Sequence, residues 1–412
     1  MKLINIVWTL LICINTISAQ WNSRDYFIQN YKEKDKIVSV NIDNHFASNT
    51  IVSSFAWNYL RGNFISEAEK NQCIANFNSE QIRVGERFNS GFSIYKKLGS
   101  GPYFFGLEFS ENIFYETRVH NDLFSLLFKG NKSFEGKTAN LSPLDIKLFH
   151  YSAFKVGISK QTDRFSFYCK LAYLGSKNYL DLKSTNGLLY TAQDGRAVDI
   201  TLNLVSLDAS AASGGFLNFA GSGIQTELGF DYKFSNRFGF YFSLDNLGYL
   251  KWNGQLKERT VDTSYVFEGV VISGILDSFS LDIKDAEDLR SRFINEKTGL
   301  SKRVNLPVLF NFGIYHELVP GFLDLGFKYQ YIQSDYADAL WSGLVDIKLT
   351  PKLILGAELS YGGYGKFNGG VKAGLNLFNH LFAEAYFSSL NSLVTSKEPY
   401  TFIGGAAVRL AF

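Results

Sequence analysis

Thr401-Phe-Ile-Gly-Gly-Ala-Ala-Val-Arg-Leu-Ala-Phe412 is the stretch of this sequence that decides its fold class. From Phe402 the even positions are apolar or small, and the odd positions after Ile403 are small or polar, including Arg409. Side chains alternate between the two faces of a β-strand, so the pattern predicts a strand with one apolar and one mixed face. Soluble sheets also contain such strands, so the rest of the chain must decide between a soluble sheet and a membrane barrel.

The composition favours long β-strands. Of 412 residues, 16% are aromatic and 36 are Gly, whereas only 6 are Pro. A net charge of +2 suggests neither a basic nucleic-acid surface nor an acidic tail. A mean hydropathy of -0.04 argues against a helical membrane protein and is compatible with a barrel whose inner face is polar.

Residues 1–19 have the pattern of a secretory signal peptide, with Lys2, an apolar run and small residues before Gln20. After residue 19 the sequence has no run of 18 apolar residues, so it predicts no transmembrane helix. We therefore expect an exported chain in which residues 20–412 form one domain. Cys73 and Cys169 remain in that domain and are expected to be free thiols.

Alternating segments follow one another from Gln81 to the last residue, and short and longer connections alternate between them. This layout predicts an all-β fold, a single antiparallel up-and-down transmembrane barrel in the outer membrane, with both termini on the periplasmic side. We expect about 14 strands, within a range of 12–16. The segments 178–192 and 196–206, joined at Asp194-Gly195, are predicted to form a hairpin.

Two helices are predicted in the outward connections. Ser66-Glu-Ala-Glu69 is a capping-box pattern that opens a helix near 66–77. A second helix is predicted near 282–298, with Asp282 as N-cap and Gly299 after its end. The long connections that hold loops or helices are predicted at 115–147 and about 250–302.

The two faces of the strands differ in composition. The apolar face is aromatic at strand ends, as membrane-interface girdles require, at Phe234, Tyr331, Tyr361 and Phe387. The other face carries isolated charges of both signs, which we expect to face the lumen. These candidate lumen residues are Glu108, Lys155, Lys170, Asp231, Lys233, Asp324, Lys328, Glu358, Lys372, Glu384 and Arg409.

The ending Gly405 to Phe412 resembles the signal that outer-membrane barrels offer to their insertion machinery, so lipid and that machinery are the expected partners. Closure of the barrel requires this last strand to pair with the first strand candidate, Lys36 to Ile42.

Three segments resemble a family of Bacteroidota outer-membrane barrels known as a domain of unknown function. They are Phe124 to Gly136, Asp245-Asn-Leu-Gly-Tyr-Leu-Lys-Trp252 and Gly362-Gly-Tyr-Gly365. The resemblance covers about residues 25–412 and supports the fold and the outer-membrane location. That family is distantly similar to FadL-type barrels that import fatty acids and other hydrophobic molecules, which implies transport by analogy only.

The sequence predicts no catalytic, cofactor-binding or metal-binding residues, and we expect no enzyme. The five histidines lack ligand spacing, and nothing pairs His150 or His316 with a nucleophile. Asp245-Asn246 with Trp252 is interpreted as an interfacial Trp beside an Asx turn, with a ligand contact at the mouth as the less favoured alternative.

The leading functional hypothesis is passage or binding of small hydrophobic solutes through a barrel wide enough for a narrow or plugged conduit. The alternative is a structural or interaction component of an outer-membrane secretion or surface assembly. The length of the connections 115–147 and 250–302 motivates that alternative, because they offer surface to a partner.

Overall fold

The computed structural model describes residues 34–77, 81–211, 217–267, 293–377, 380–390 and 399–412. These residues form one antiparallel sheet of seventeen strands together with three short α-helices. The predicted signal peptide, 1–19, lies outside them.

The strands are, in chain order, β1 Lys36–Val52, β2 Gln81–Lys97, β3 Tyr103–His120, β4 Lys137–Asn140, β5 Leu144–Gln161, β6 Phe165–Thr191, β7 Val198–Ser210, β8 Gly221–Lys233, β9 Phe238–Phe267, β10 Ile294–Asn305, β11 Leu309–Val319, β12 Leu323–Ile332, β13 Leu340–Thr350, β14 Leu353–Tyr361, β15 Phe367–Leu377, β16 Leu381–Ser388 and β17 Pro399–Ala411. The helices are α1 Ser53–Leu60, α2 Glu67–Ala75 and α3 Asn121–Lys129.

Fourteen of the strands close into a barrel, namely β1, β2, β3, β5, β6, β8, β9 and β11 to β17. The closing pair places Ile37 opposite Ala411 and Ala47 opposite Thr401. Closure leaves the barrel without a free sheet edge. The predicted strand count and the predicted pairing of the last strand with Lys36 to Ile42 are both confirmed.

The two ends of the barrel differ. Lys36 and Phe412 lie side by side at one end, here called the turn end, where the connections between strands are short. The opposite end, here called the loop end, carries the longer connections and all three helices.

Two barrel strands continue beyond the wall at the loop end. β6 has 27 residues and β9 has 30, and their distal halves pair with the three strands that are not part of the barrel. The resulting order is β4-β6-β7-β9-β10, which we call the projecting sheet.

The projecting sheet corrects three predictions. The hairpin at Asp194-Gly195 exists, but its second strand, β7, pairs above the barrel, so it adds no strand to the wall. The connections predicted at 115–147 and about 250–302 are shorter, because β3 continues to His120 and β9 continues to Phe267. These extensions lie beyond the apolar wall, where a strand can be polar on both faces.

The helix predicted at 282–298 is wrong from Ile294 onward. Ile294–Asn305 is strand β10, and its Asn295 and Lys297 lie opposite Thr260 and Glu258 of β9. Most residues of β10 are exposed, so the strand lacks the period-two alternation that would have identified it. Residues 282–292 lie outside the described ranges.

The outward face of the wall is apolar. Large hydrophobic side chains are exposed on strands all around the barrel, among them Leu107, Val156, Leu171, Leu359 and Val408. A closed apolar wall of this kind is stable in lipid rather than in water. Among the described residues, no helix has the length and apolarity to cross a membrane.

Aromatic side chains mark the ends of this apolar wall. Phe234, Tyr331 and Tyr361 are exposed at strand ends, where the sequence predicts interface girdles. Phe387 also points outward but packs edge-on against Phe402, with ring centroids 5.7 Å apart.

The three helices pack on the outside of the barrel rather than over its mouth. Phe55 of α1, Cys73 of α2 and Phe124 of α3 share one apolar cluster with Ile82, an outward-facing residue of β2. Burial raises the pKa of the Cys73 thiol to about 11, so it remains a neutral thiol. Cys169, on the outward face of β6 near the turn end, is also free.

The loop-end half of the lumen is filled by a hydrophobic core. Trp252 is fully buried there and packs on Tyr179, with ring centroids 4.3 Å apart. The interpretation of Trp252 as an interfacial residue is therefore wrong, because β9 carries it into the interior above the membrane part of the wall. Phe149, Leu250 and Leu306 are buried in the same core.

Candidate functional site in the lumen

A cavity of about 390 Å³ lies in the middle of the barrel, beneath the hydrophobic core. Phe114, Tyr151 and Leu309 belong both to the core and to the cavity lining, so they form its roof. Five cationic and five carboxylate side chains line the cavity, and its formal charges cancel. They are Arg87, Lys155, Lys170, Lys328 and Arg409, and Asp43, Glu108, Glu227, Asp231 and Asp245.

Four of these charges form a compact network on neighbouring strands. Lys155 Nζ donates to Glu108 Oε1 at 2.7 Å and to Glu227 Oε1 at 2.8 Å. Lys170 Nζ donates to the other oxygen of Glu108 at 2.7 Å. Register brings them together, because Glu108 of β3 lies opposite Lys155 of β5, and Lys170 of β6 lies opposite Glu227 of β8, one alternation period away. The mutual pairing compensates the cost of burying all four charges.

The other predicted lumen residues lie in separate groups. Asp231 accepts from the Tyr315 hydroxyl at 3.3 Å, and Lys328 interacts electrostatically with Glu358 and Asp43. The buried Arg409, 2% exposed, donates to Glu384 at 2.6 Å.

A second lumen cavity, of about 360 Å³, lies toward the turn end. Asp324, Lys372 and Glu384 line it. Lys348 bridges Asp324 and Glu317, and Lys372 donates to Asp346 at 2.6 Å. Lys233, at the turn end of β8, is half-buried and lines neither cavity.

Several residues of the central cavity were not singled out from the sequence. Arg87 of β2 lines it, and so do Asn311 and Gln330 of the opposite wall. Arg87 alternates with the outward-facing Phe88 and Glu86, so the parity that identified the other charges applied to it as well. Asp245 and Asn246, interpreted as turn residues, lie within β9 and also line the cavity.

Two loops close the lumen at the loop end. In the loop after β12, Asp338 forms an ion pair with Arg83 at 2.9 Å, and the Arg118 guanidinium lies over the Tyr336 ring at 4.9 Å. In the loop after β14, the Tyr364 ring lies over Gly85, where a Cβ atom would clash, and its hydroxyl donates to Glu116. Burial raises the pKa of both tyrosines, so both hydroxyls stay protonated.

A polar cluster on the outward wall brings His150 close to Ser152. Glu111 accepts from His150 Nε2 at 2.6 Å, from Ser152 Oγ at 2.6 Å and from Lys177 Nζ at 2.7 Å. The serine hydroxyl therefore donates to the carboxylate rather than to the imidazole, which is not the arrangement that activates a nucleophile. Within the described residues, no three His, Cys, Asp or Glu side chains are grouped for a metal ion.

These features define the class of protein: an outer-membrane-type β-barrel with an apolar outer wall, a charged lumen and a lumen closed at its loop end. The chain belongs to a family of unknown function, DUF5723, whose model matches residues 30–384.

Among curated proteins, none matches the chain. Solved structures similar to it include the P. putida toluene transporter TodX, 9% identical, covering 96% of both chains with a TM-score of 0.45. A Pseudomonas aeruginosa FadL homologue is 11% identical, covering 92% of this chain and 89% of that chain, with a TM-score of 0.42. The Acinetobacter baumannii outer membrane protein Omp33 is 10% identical, covering 92% and 98%, with a TM-score of 0.29.

Proposed function

We propose that this barrel binds small, largely hydrophobic solutes in its central cavity and passes them across the outer membrane. The observation that carries the proposal is the cavity of about 390 Å³ beneath the roof of Phe114, Tyr151 and Leu309. Pockets of about 300–1,000 Å³ with apolar walls and a few placed polar groups are typical small-molecule sites.

The same geometry argues against a general porin. The ten lining charges cancel, so the net charge of the cavity gives the barrel no general ion selectivity of the porin type. The loops that carry Asp338 and Tyr364 fill the entrance from the loop end, and passage therefore requires them to move. Loop movements of this kind commonly control access to buried sites.

The test is permeation into liposomes that contain the purified full chain, measured by osmotic swelling with neutral and charged small organic solutes. Removing the Tyr364 ring opens space above Gly85 and Glu116, so we expect Tyr364→Ala to increase the swelling rate several-fold. Phe64→Ala is the matched control, because that aromatic side chain is 86% exposed and outside the lumen. If neither the natural chain nor Tyr364→Ala passes any solute of a broad panel, transport is excluded.

A second candidate function is interaction with a partner in a surface assembly, and the projecting sheet favours it. Its strands extend beyond the apolar wall, and apolar side chains such as Tyr190, Val205 and Val266 are exposed there. Cross-linking in intact outer membranes followed by purification tests this candidate. A stoichiometric partner that is lost when Val205 and Val266 are both changed to Lys supports it, and purification of the barrel alone contradicts it.

A further inference from the structure

One arginine crosses the lumen. Arg87 lies on β2, and its Nη2 donates to Oε1 of Gln330 on β12 at 2.8 Å. These two strands are seven positions apart in a ring of fourteen, so they face each other across the barrel. Gln330 donates in turn to Asn311 at 2.6 Å, and Asn311 donates to Asp245 at 3.0 Å. Arg87 is thus the bridge between two halves of the wall.

The bridge is held only by neutral acceptors. Besides Gln330, Nη2 of Arg87 contacts His45 Nδ1 at 3.0 Å. Nε and Nη1 are buried and have no hydrogen-bond partner among the described residues. The other arginines that face the lumen nearby are paired with carboxylates: Arg83 with Asp338, Arg118 with Asp145 and Arg409 with Glu384.

The charges around Arg87 leave it in need of an anion. Asp43 acts on it electrostatically but is already bound by the Tyr386 hydroxyl at 3.2 Å. Lys328 adds a second positive charge nearby and also interacts with Asp43 and Glu358. A buried guanidinium with unsatisfied N–H groups gains more from a carboxylate than from an amide oxygen, because charge-assisted hydrogen bonds are stronger.

We propose that Arg87 binds the carboxylate of the solute, so that the barrel selects small organic acids with an apolar body. This inference rests on the proposed function and specifies its substrate class. The apolar body lies against the roof formed by Phe114, Tyr151 and Leu309, while the carboxylate replaces Gln330 at the guanidinium. Loss of the Arg87–Gln330 bond then separates the two walls, so binding of the anion also opens the bridge.

The experiment compares benzoate, benzyl alcohol and benzylamine, which share one ring and differ in charge. Binding to the full chain in detergent is measured by titration calorimetry, and permeation by liposome swelling. The natural chain is expected to bind benzoate at least about tenfold more tightly than benzyl alcohol, the lower bound for a charge-assisted bond. Arg87→Gln is expected to abolish this preference through loss of affinity for benzoate, and Arg87→Lys to restore part of it.

Arg83→Gln is the matched control. Arg83 lies on the same face of β2, four residues from Arg87, but Asp338 already neutralises it. We expect Arg83→Gln to keep the preference for benzoate. The inference is overturned if Arg87→Gln binds benzoate as the natural chain does, or if Arg83→Gln loses the preference equally. Swelling with benzyl alcohol but no preference for benzoate overturns the role of Arg87 alone, whereas binding and passage of none of the three probes overturns the proposed function as well.

Discussion

At the scale of single residues, the lumen consists of charges that are stable only together. Lys155 contacts both Glu108 and Glu227, and each of the three side chains is at least four-fifths buried. Burying a carboxylate without a cation costs several kcal/mol, while a complete network comes close to neutral. The intact network therefore adds little net stability, whereas removal of one member is costly.

Replacing Lys155 by Met should consequently destabilise the barrel by about 3–5 kcal/mol, because Glu108 and Glu227 would share the single cation Lys170. The measurement is guanidinium unfolding of the barrel in lipid vesicles near neutral pH. Lys297→Met is the control, since the Lys297 side chain is 69% exposed and its pair with Glu258 spans 3.2 Å. That variant should lose less than about 1 kcal/mol. Equal losses in both variants would contradict the account of the network.

The charges themselves were predictable from alternation, but their pairing was not. Parity assigns Glu108, Lys155 and Lys170 to one face of their strands, and the structure places all three on the central cavity. Parity does not give the register between strands, which decides that Lys155 meets Glu108 while Lys372 meets Asp346. The Arg87 bridge is harder still to predict, since it joins strands on opposite walls that share no register.

At the scale of elements, the start of α2 shows how a local motif can determine local structure. Ser66 accepts from the Glu69 N–H, and Glu69 Oε2 accepts from the Ser66 N–H at 2.9 Å, as the capping-box pattern predicts. Burial alone would raise the pKa of Glu69, but hydrogen bonds from Ser66 and Asn58 outweigh it and lower that pKa. The stabilisation by ionised Glu69 is therefore present at neutral pH and is lost as the pH falls through the lowered pKa.

Ser66→Ala should weaken the first turn of α2 by about 1 kcal/mol, the usual cost of losing a capping hydroxyl. Hydrogen exchange of the Glu69 amide should become about fivefold faster, whereas the unfolding midpoint of the barrel should not change, since α2 packs outside the wall. Ser125→Ala in α3 is the control, because that hydroxyl bonds the Asn121 carbonyl within its own helix. Unchanged exchange at Glu69 in Ser66→Ala would refute the role of the cap.

Sequence patterns fail where an element is neither a membrane strand nor a packed helix. β10 has a run of charged and polar residues, and nearly all of it is exposed. Its β conformation comes from pairing with β9, a long-range contact that no local period encodes. The same holds for β7, whose residues alternate but whose place above the wall follows from the length of β6.

At the scale of the whole molecule, the sequence determined the barrel because lipid imposes a strict alternation. Most outward positions are apolar, as Leu107, Val156 and Leu359 are, and each strand must continue until the wall is spanned. The projecting sheet is free of that constraint, which is why the strand number of the wall was predictable and the architecture above it was not.

Closure of the ring gives the last prediction. Val40 of β1 lies directly opposite Val408 of β17, and both face outward. Directly opposite residues of antiparallel strands have Cα atoms about 4.5–5.5 Å apart, which is within the range that a disulfide requires. With Cys73 and Cys169 first replaced by Ala, the pair Val40→Cys and Val408→Cys should therefore form a disulfide on oxidation. The cross-link closes nearly the whole chain into a loop, so the heat-unfolded barrel should migrate faster on a gel until it is reduced.

The control variant carries Val40→Cys together with Leu359→Cys. Because β14 is four strands from β1, these two cysteines should both remain free thiols. A cross-link in the control, or none in the Val40–Val408 pair, would mean that β1 and β17 are not neighbours, and a fourteen-stranded closed ring could not be kept.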